Sequence, residues 1–183
     1  MAIGATIYHF DVQVSNVDRN VYETLAVKAA RHPSESDEYL VTRVLAYCLE
    51  YTEGLAFSKG GLSDPDEPAL AVRDLTGVLK TWIDIGLPDA ARLHKAAKAA
   101  PRVAVYTHRN AALLLEQLQN GRIHRAEAVE IYDFGRELVS GLVQRLERRT
   151  AWALSLTEGS LFITAAGATL QGELRVLRKE SGT

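Results

Sequence analysis

Apolar and polar residues alternate at the start of the chain. Thr6, Tyr8, Phe10, Val12 and Val14 share one side of an extended backbone, and Ala5, Ile7, His9, Asp11 and Gln13 share the other. A period of two predicts a strand. Asn16-Val17-Asp18-Arg19-Asn20 is turn chemistry, and Val21 to Ala30 reads as a second strand, so a hairpin over residues 3–31 opens the chain. The period then changes. Leu40, Val41, Val44, Leu45, Tyr47 and Cys48 recur at helical spacing. Ser34 stands before them as an N-cap, with Asp37 three residues on to close a capping box. This helix is expected to end near Gly54.

The pattern continues through a short strand at Leu55–Ser58 and a Gly/Asp/Pro loop at Lys59–Pro65. Two apolar runs follow, joined by a turn at Asp74-Leu75-Thr76-Gly77. A helix starts at Pro88-Asp89 and runs to about Ala100. Arg102–Thr107 is a β-branched, buried strand, Asn110–Gln119 a helix, Ala128–Tyr132 a strand and Phe134–Arg148 a helix. Ala151–Thr157, Leu161–Thr164 and Thr169–Val176 alternate again as a meander, and Lys179–Thr183 is expected to be loose. The elements predict a mixed α/β (α+β) single domain over residues 1–183 with one central mixed sheet. Its αβββαβ core spans about 34–107, with the hairpin before it and an extension over 110–178 behind it.

Composition narrows the function classes. A chain of 183 residues is enough for one domain with a sizeable core. The net charge of −2 excludes a global basic field, so nucleic acid would have to be met by a local patch. The single cysteine, Cys48, excludes an internal disulfide and a cysteine-based zinc cluster. No apolar run is long enough to span a bilayer, and Met1-Ala2-Ile3-Gly4 lacks the basic start of a secretory signal. No membrane association and a cytoplasmic location are expected.

The candidate chemistry lies between Asp66 and Lys98. If the turn centres on Leu75-Thr76-Gly77, facing residues have numbers summing to about 151 or 152, which sets Glu67 or Pro68 opposite Asp84 at roughly 4.5–5.5 Å. Asp84 shares a side with Trp82 among apolar neighbours, so its carboxylate must be paired, metal-bound or at the sheet rim. The next helix brings Lys95 past this point. Asp66, Glu67, Asp84 and an amine could together hold Mg²⁺ or Mn²⁺ and an activated water. Glu38 lies on the border of the first helix's apolar face, one turn after Glu35. Residues 88–109 hold Arg92, Lys95, Lys98, Arg102 and Arg109 against the single acid Asp89, a basic stretch suited to nucleic acid. An open strand edge in the meander, around Leu161–Thr164, offers a protein partner a place to pair.

The order helix, strand, strand, strand, helix, strand over Ser34–Thr107, with an acid on its first helix, before its hairpin and on its third strand, resembles the core of the PD-(D/E)XK nuclease superfamily. A nearer resemblance is to the YaeQ family of small bacterial proteins. It rests on His32-Pro33-Ser34-Glu35, Asp66-Glu67-Pro68, Trp82-Ile83-Asp84-Ile85-Gly86-Leu87-Pro88-Asp89 and Arg92-Leu93-His94-Lys95-Ala96. The resemblance implies catalytic roles for Glu38, Glu67, Asp84 and Lys95. Glu67, Asp84, Glu38 and Asp66 would be the metal ligands, and Ser34, Glu35, Arg92 and Lys98 would contact substrate. Gly86 stands where the superfamily has its lysine, and Lys95 is the substitute from the following helix. The implied activity is metal-dependent phosphodiester hydrolysis. The rival is an inactive module of the same fold that binds nucleic acid or protein.

Overall fold

A computed structural model describes residues 4–59 and 64–179. Residues 180–183 of the expected Lys179–Thr183 tail, part of the expected Lys59–Pro65 loop and the first residue of the expected hairpin lie outside the described residues. The mixed α/β class holds, and the strands fall into two sheets rather than one. The Cα packing divides into two compact units, residues 1–51 with 134–175 and residues 52–133 with 176–183.

The first unit is built on a five-stranded sheet in the order β10-β9-β8-β1-β2. β1 (Thr6–Asn16) and β2 (Val21–Arg31) form the expected hairpin. The meander strands β8 (Arg149–Thr157), β9 (Ser160–Ala165) and β10 (Ala168–Glu173) join it through a parallel β1–β8 ladder. The register explains the alternation. Phe10, Val12 and Val14 lie level with Val27, Leu25 and Glu23 on one side and with Thr150, Trp152 and Leu154 on the other. One face therefore collects the buried Phe10, Val12, Leu25, Val27, Trp152, Leu154 and Ile163, while the other stays largely in water. Helices α1 (Asp37–Leu49) and α4 (Arg136–Val143) pack against this sheet and each other.

Helix boundaries differ from the sequence pattern, and α1 ends at Leu49 rather than near Gly54. The cap of α1 is Ser36, whose hydroxyl accepts from the Tyr39 amide at 3.1 Å. Ser34 is instead drawn to the Nδ1 of His32 at 2.7 Å. α4 ends at Val143 rather than at Arg148: Arg149 begins β8, and the Arg148 guanidinium lies over the Tyr8 ring. The close approach of the Leu170 side chain to Gly141, which leaves no room for a Cβ, packs α4 onto β10.

The second unit has a six-stranded sheet in the order β11-β7-β6-β5-β4-β3. β3 (Leu55–Phe57), β4 (Leu70–Arg73) and β5 (Leu79–Ile85) are antiparallel; β6 (Arg102–Thr107) and β7 (Val129–Asp133) continue from β5 in parallel. β11 (Arg175–Arg178) is the end of the expected third meander strand, split off at Leu174. Trp82, Val103, Val105, Val129 and Ile131 make one face, closed by α2 (Ala90–Ala99) and α3 (Ala112–Asn120) through Leu93, Ala96, Ala97, Leu114 and Leu118. Ile83, Ala104 and Glu130 occupy the other face and are buried too. Burial on both sides is the reason β5 and β6 read as continuous apolar runs.

Candidate functional site

Asp84 stands near the end of β5, on the α2 side of the sheet next to Trp82, and is 2% exposed. A carboxylate that far from water needs a strong partner. The partner is Arg92, in the first turn of α2. Its Nε donates to one Asp84 oxygen at 2.8 Å and its Nη2 to the other at 2.7 Å. This two-bonded fork matches the planar geometry of guanidinium and carboxylate. Nη2 also donates to the Glu67 carbonyl at 2.8 Å, and the guanidinium carbon lies 5.5 Å from the centre of the Trp82 ring. Arg92 therefore ties β5, α2 and the loop before β4 into one knot. Asp89 holds α2 in place by accepting from the Arg92 amide at 2.8 Å.

One turn further along α2, Lys95 pairs with Asp66 of the same loop. The loop is kinked by its own acid, since Asp64 accepts from the Asp66 amide at 2.9 Å. Acids from two chain segments thus meet bases from α2. The base that reaches Asp84 is Arg92, however, and not Lys95.

Glu67 is not opposite Asp84. The ladder pairs Leu70 with Ile83, Ala71 with Trp82 and Val72 with Thr81, then shifts so that Arg73 faces Leu79. The extra residue at this bulge, Lys80, moves the register beyond that expected from the turn alone. Asp84 falls outside the last pair. Glu67 contributes its carbonyl to Arg92, and its carboxylate lies 3.4 Å from Arg73. Among the described residues, no three His, Cys, Asp or Glu side chains converge where a metal ion could sit. A divalent ion would have to take Asp84 from its guanidinium fork, so this donor set does not fit Mg²⁺ or Mn²⁺.

The remaining candidates are placed as follows. Glu38 is half-buried in the first turn of α1, and its carbonyl accepts from the Thr42 hydroxyl at 2.7 Å. Glu35, expected to contact substrate, is buried instead. It is 2% exposed and lies 3.2 Å from Arg43, whose Nη2 also donates to the Ala30 carbonyl at 2.7 Å. Both belong to the first unit, whereas Asp84, Arg92 and Lys95 belong to the second. Ser34 is exposed, and Lys98 is exposed in the last turn of α2, where a cation suits the helix end. Cys48 is buried, and burial pushes its thiol up to about 12, so it is chemically inert in the folded chain.

A second buried ionic group was missed by sequence reasoning. Arg102 grips Glu130 with two bonds at 3.1 and 2.7 Å, and the Tyr132 hydroxyl donates to the same carboxylate at 2.6 Å. Tyr132 stacks on Tyr106 with centroids 4.7 Å apart. The signal was a glutamate between Val129 and Ile131 in a strand buried throughout.

The family described as YaeQ protein matches residues 1–174. A Salmonella typhi relative named "Uncharacterized protein YaeQ" is 30% identical over 182 residues, 99% of this chain and 100% of its own. One of the same name from Escherichia coli (strain K12) is 38% identical over 120 residues, 66% of each chain. The crystal structure of YaeQ protein from Pseudomonas syringae superposes with a TM-score of 0.85 at 31% identity, covering 97% of this chain and 98% of that one. That from Xanthomonas axonopodis pv. citri gives 0.86 at 28% identity, covering 96% and 99%.

Proposed function

The chain belongs to the YaeQ family, and on that premise we propose that it is a binding module rather than a phosphodiester hydrolase. The observation carrying this reading is the fork between Asp84 and Arg92, in which both carboxylate oxygens are already engaged. A hydrolase of the metal-dependent kind needs that carboxylate for its ion. Here it holds Arg92, which in turn bonds to the loop before β4.

The partner class is polyanionic, with nucleic acid as the first case. Lys95 and Lys98 lie three residues apart, on one side of α2, and both are exposed. The pair that Lys95 makes with Asp66 is open to solvent, with side chains 46% and 71% exposed. Such a pair is worth about 0–1 kcal/mol, so a phosphate can displace it at little cost. Arg92 and Arg102 are committed within the fold and do not belong to this surface. A cytoplasmic location is part of the same proposal.

The experiment is fluorescence anisotropy with short single- and double-stranded oligonucleotides at rising salt, with Mn²⁺ present and products run on a gel. Binding that weakens with salt, weakens further in the double variant Lys95→Ala/Lys98→Ala, and leaves the oligonucleotide intact is expected. A cleavage product that disappears in Asp84→Asn would overturn the reading in favour of hydrolysis.

A further inference from the structure

We infer that the free edge of β2 is a self-association surface, and that two copies of this chain join through it into one continuous sheet. The inference is independent of the α2 proposal.

The backbone groups of β2 point alternately toward β1 and away from it. The His9 amide donates to Arg148, on the β8 side of β1, at 2.9 Å. Odd-numbered residues of β1 therefore serve β8, and even-numbered ones serve β2. Even residues of β1 face odd residues of β2, as in Phe10 with Val27 and Val12 with Leu25. The even residues of β2 must then aim their N–H and C=O groups away from the sheet. The Ala30 carbonyl confirms it by accepting from Arg43, not from β1. Tyr22, Thr24, Ala26 and Lys28 aim the same way, into solvent, and all four are exposed.

This edge lacks the usual protections. Natural edge strands are kept short, bulged or broken by proline, or heavily charged. β2 has 11 residues, pairs with β1 without a bulge, contains no proline and carries one outward lysine, Lys28. The other edges among the described residues are short: three residues in β3, four in β11 and six in β10, the last with Gly172 inside it.

The sequence of β2 is also self-complementary in one register. An antiparallel pairing about a two-fold axis at Leu25 sets Tyr22 against Lys28 and Thr24 against Ala26 of the second copy. That register uses the four outward residues and leaves Ala30, already engaged by Arg43, out of the ladder. It puts an ammonium beside an aromatic ring on the outer face, a favourable contact. It puts Leu25 against Leu25 on the inner face, extending the apolar layer. Paired residues keep to one face, as an antiparallel ladder requires.

Two measurements test it. Light scattering after size exclusion should give about twice the 20.1 kDa of one chain. Ala26→Pro should give the monomer mass with an unchanged circular dichroism spectrum, because the lost N–H is an outward one. Independently, Leu25→Cys should cross-link to a disulfide dimer under copper–phenanthroline, since residues facing across a non-hydrogen-bonded pair lie close enough to bridge. Buried Cys48 gives no background. A monomer at every concentration overturns the inference. So does a dimer that survives Ala26→Pro, or Leu25→Cys that stays reduced, and the cross-link decides the matter if the proline variant fails to fold.

Discussion

Asp84 and Asp66 are each held by a base from α2, one turn apart, yet the two pairs are physically different. The Asp84 side chain is 3% exposed and Arg92 grips it from two nitrogens; Asp66 is 71% exposed and meets a single ammonium. The Asp84 carboxylate sits in a low dielectric, and losing Arg92 would strand its charge. The open pair competes with water and salt at every moment. Residue type alone made both look like ligands. Burial is what separates a fastener from a contact free to change partners.

The widest test of that contrast comes from the first unit, where Glu35 and Arg43 have side chains 0% and 4% exposed. Glu35→Ala should cost about 3–5 kcal/mol in urea unfolding at neutral pH, the range for breaking a buried pair. Asp84→Ala should cost less, about 1.5–3 kcal/mol, because Arg92 reaches solvent and keeps its bond to the Glu67 carbonyl. Lys95→Ala should change stability by about 1 kcal/mol at most, with the difference shrinking in high salt. Equal losses for Asp84→Ala and Lys95→Ala would dissolve the distinction drawn here.

The smallest effect concerns pH. The hydroxyl of Thr76 and the amide of Val78 hold Asp74 well below the usual carboxylate range at the β4–β5 turn. Its folded form binds a proton less readily than its unfolded form. The stabilisation is therefore complete above the ordinary aspartate value of about 3.9 and is lost as pH falls through the lower folded value. Amide exchange at Thr76 and Val78, corrected for intrinsic rates, should show protection that declines only in strong acid. Asp74→Asn should remove that pH dependence.

Much of this was legible in the sequence, unevenly. The five-stranded sheet has one wet face, so its strands alternate, and β1, β2 and β8 could be read off directly. What alternation cannot say is which distant strand pairs with which, and the ladder between β1 and β8 closes over most of the chain. The Trp82-Ile83-Asp84 block correctly put Asp84 beside Trp82, and a buried acid there announced a partner. Arg92 was in view only as a surface cation, because fork geometry depends on where α2 begins. Glu67 was misplaced by one bulge, and the register of a short hairpin is decided by that single extra residue. Ser34 and Ser36 are equally good caps by type, and the bond between the Ser34 hydroxyl and His32 Nδ1 is what separates them.

The commitment of Asp84 to Arg92 is what separates a binding module from a hydrolase. Its direct test is the thermal unfolding midpoint with and without millimolar Mn²⁺, on the native chain and on Asp84→Asn. The predicted result is a midpoint that the ion leaves unmoved in both. A rise of several degrees in the native chain that vanishes in Asp84→Asn would contradict it, because the carboxylate would then be serving a metal.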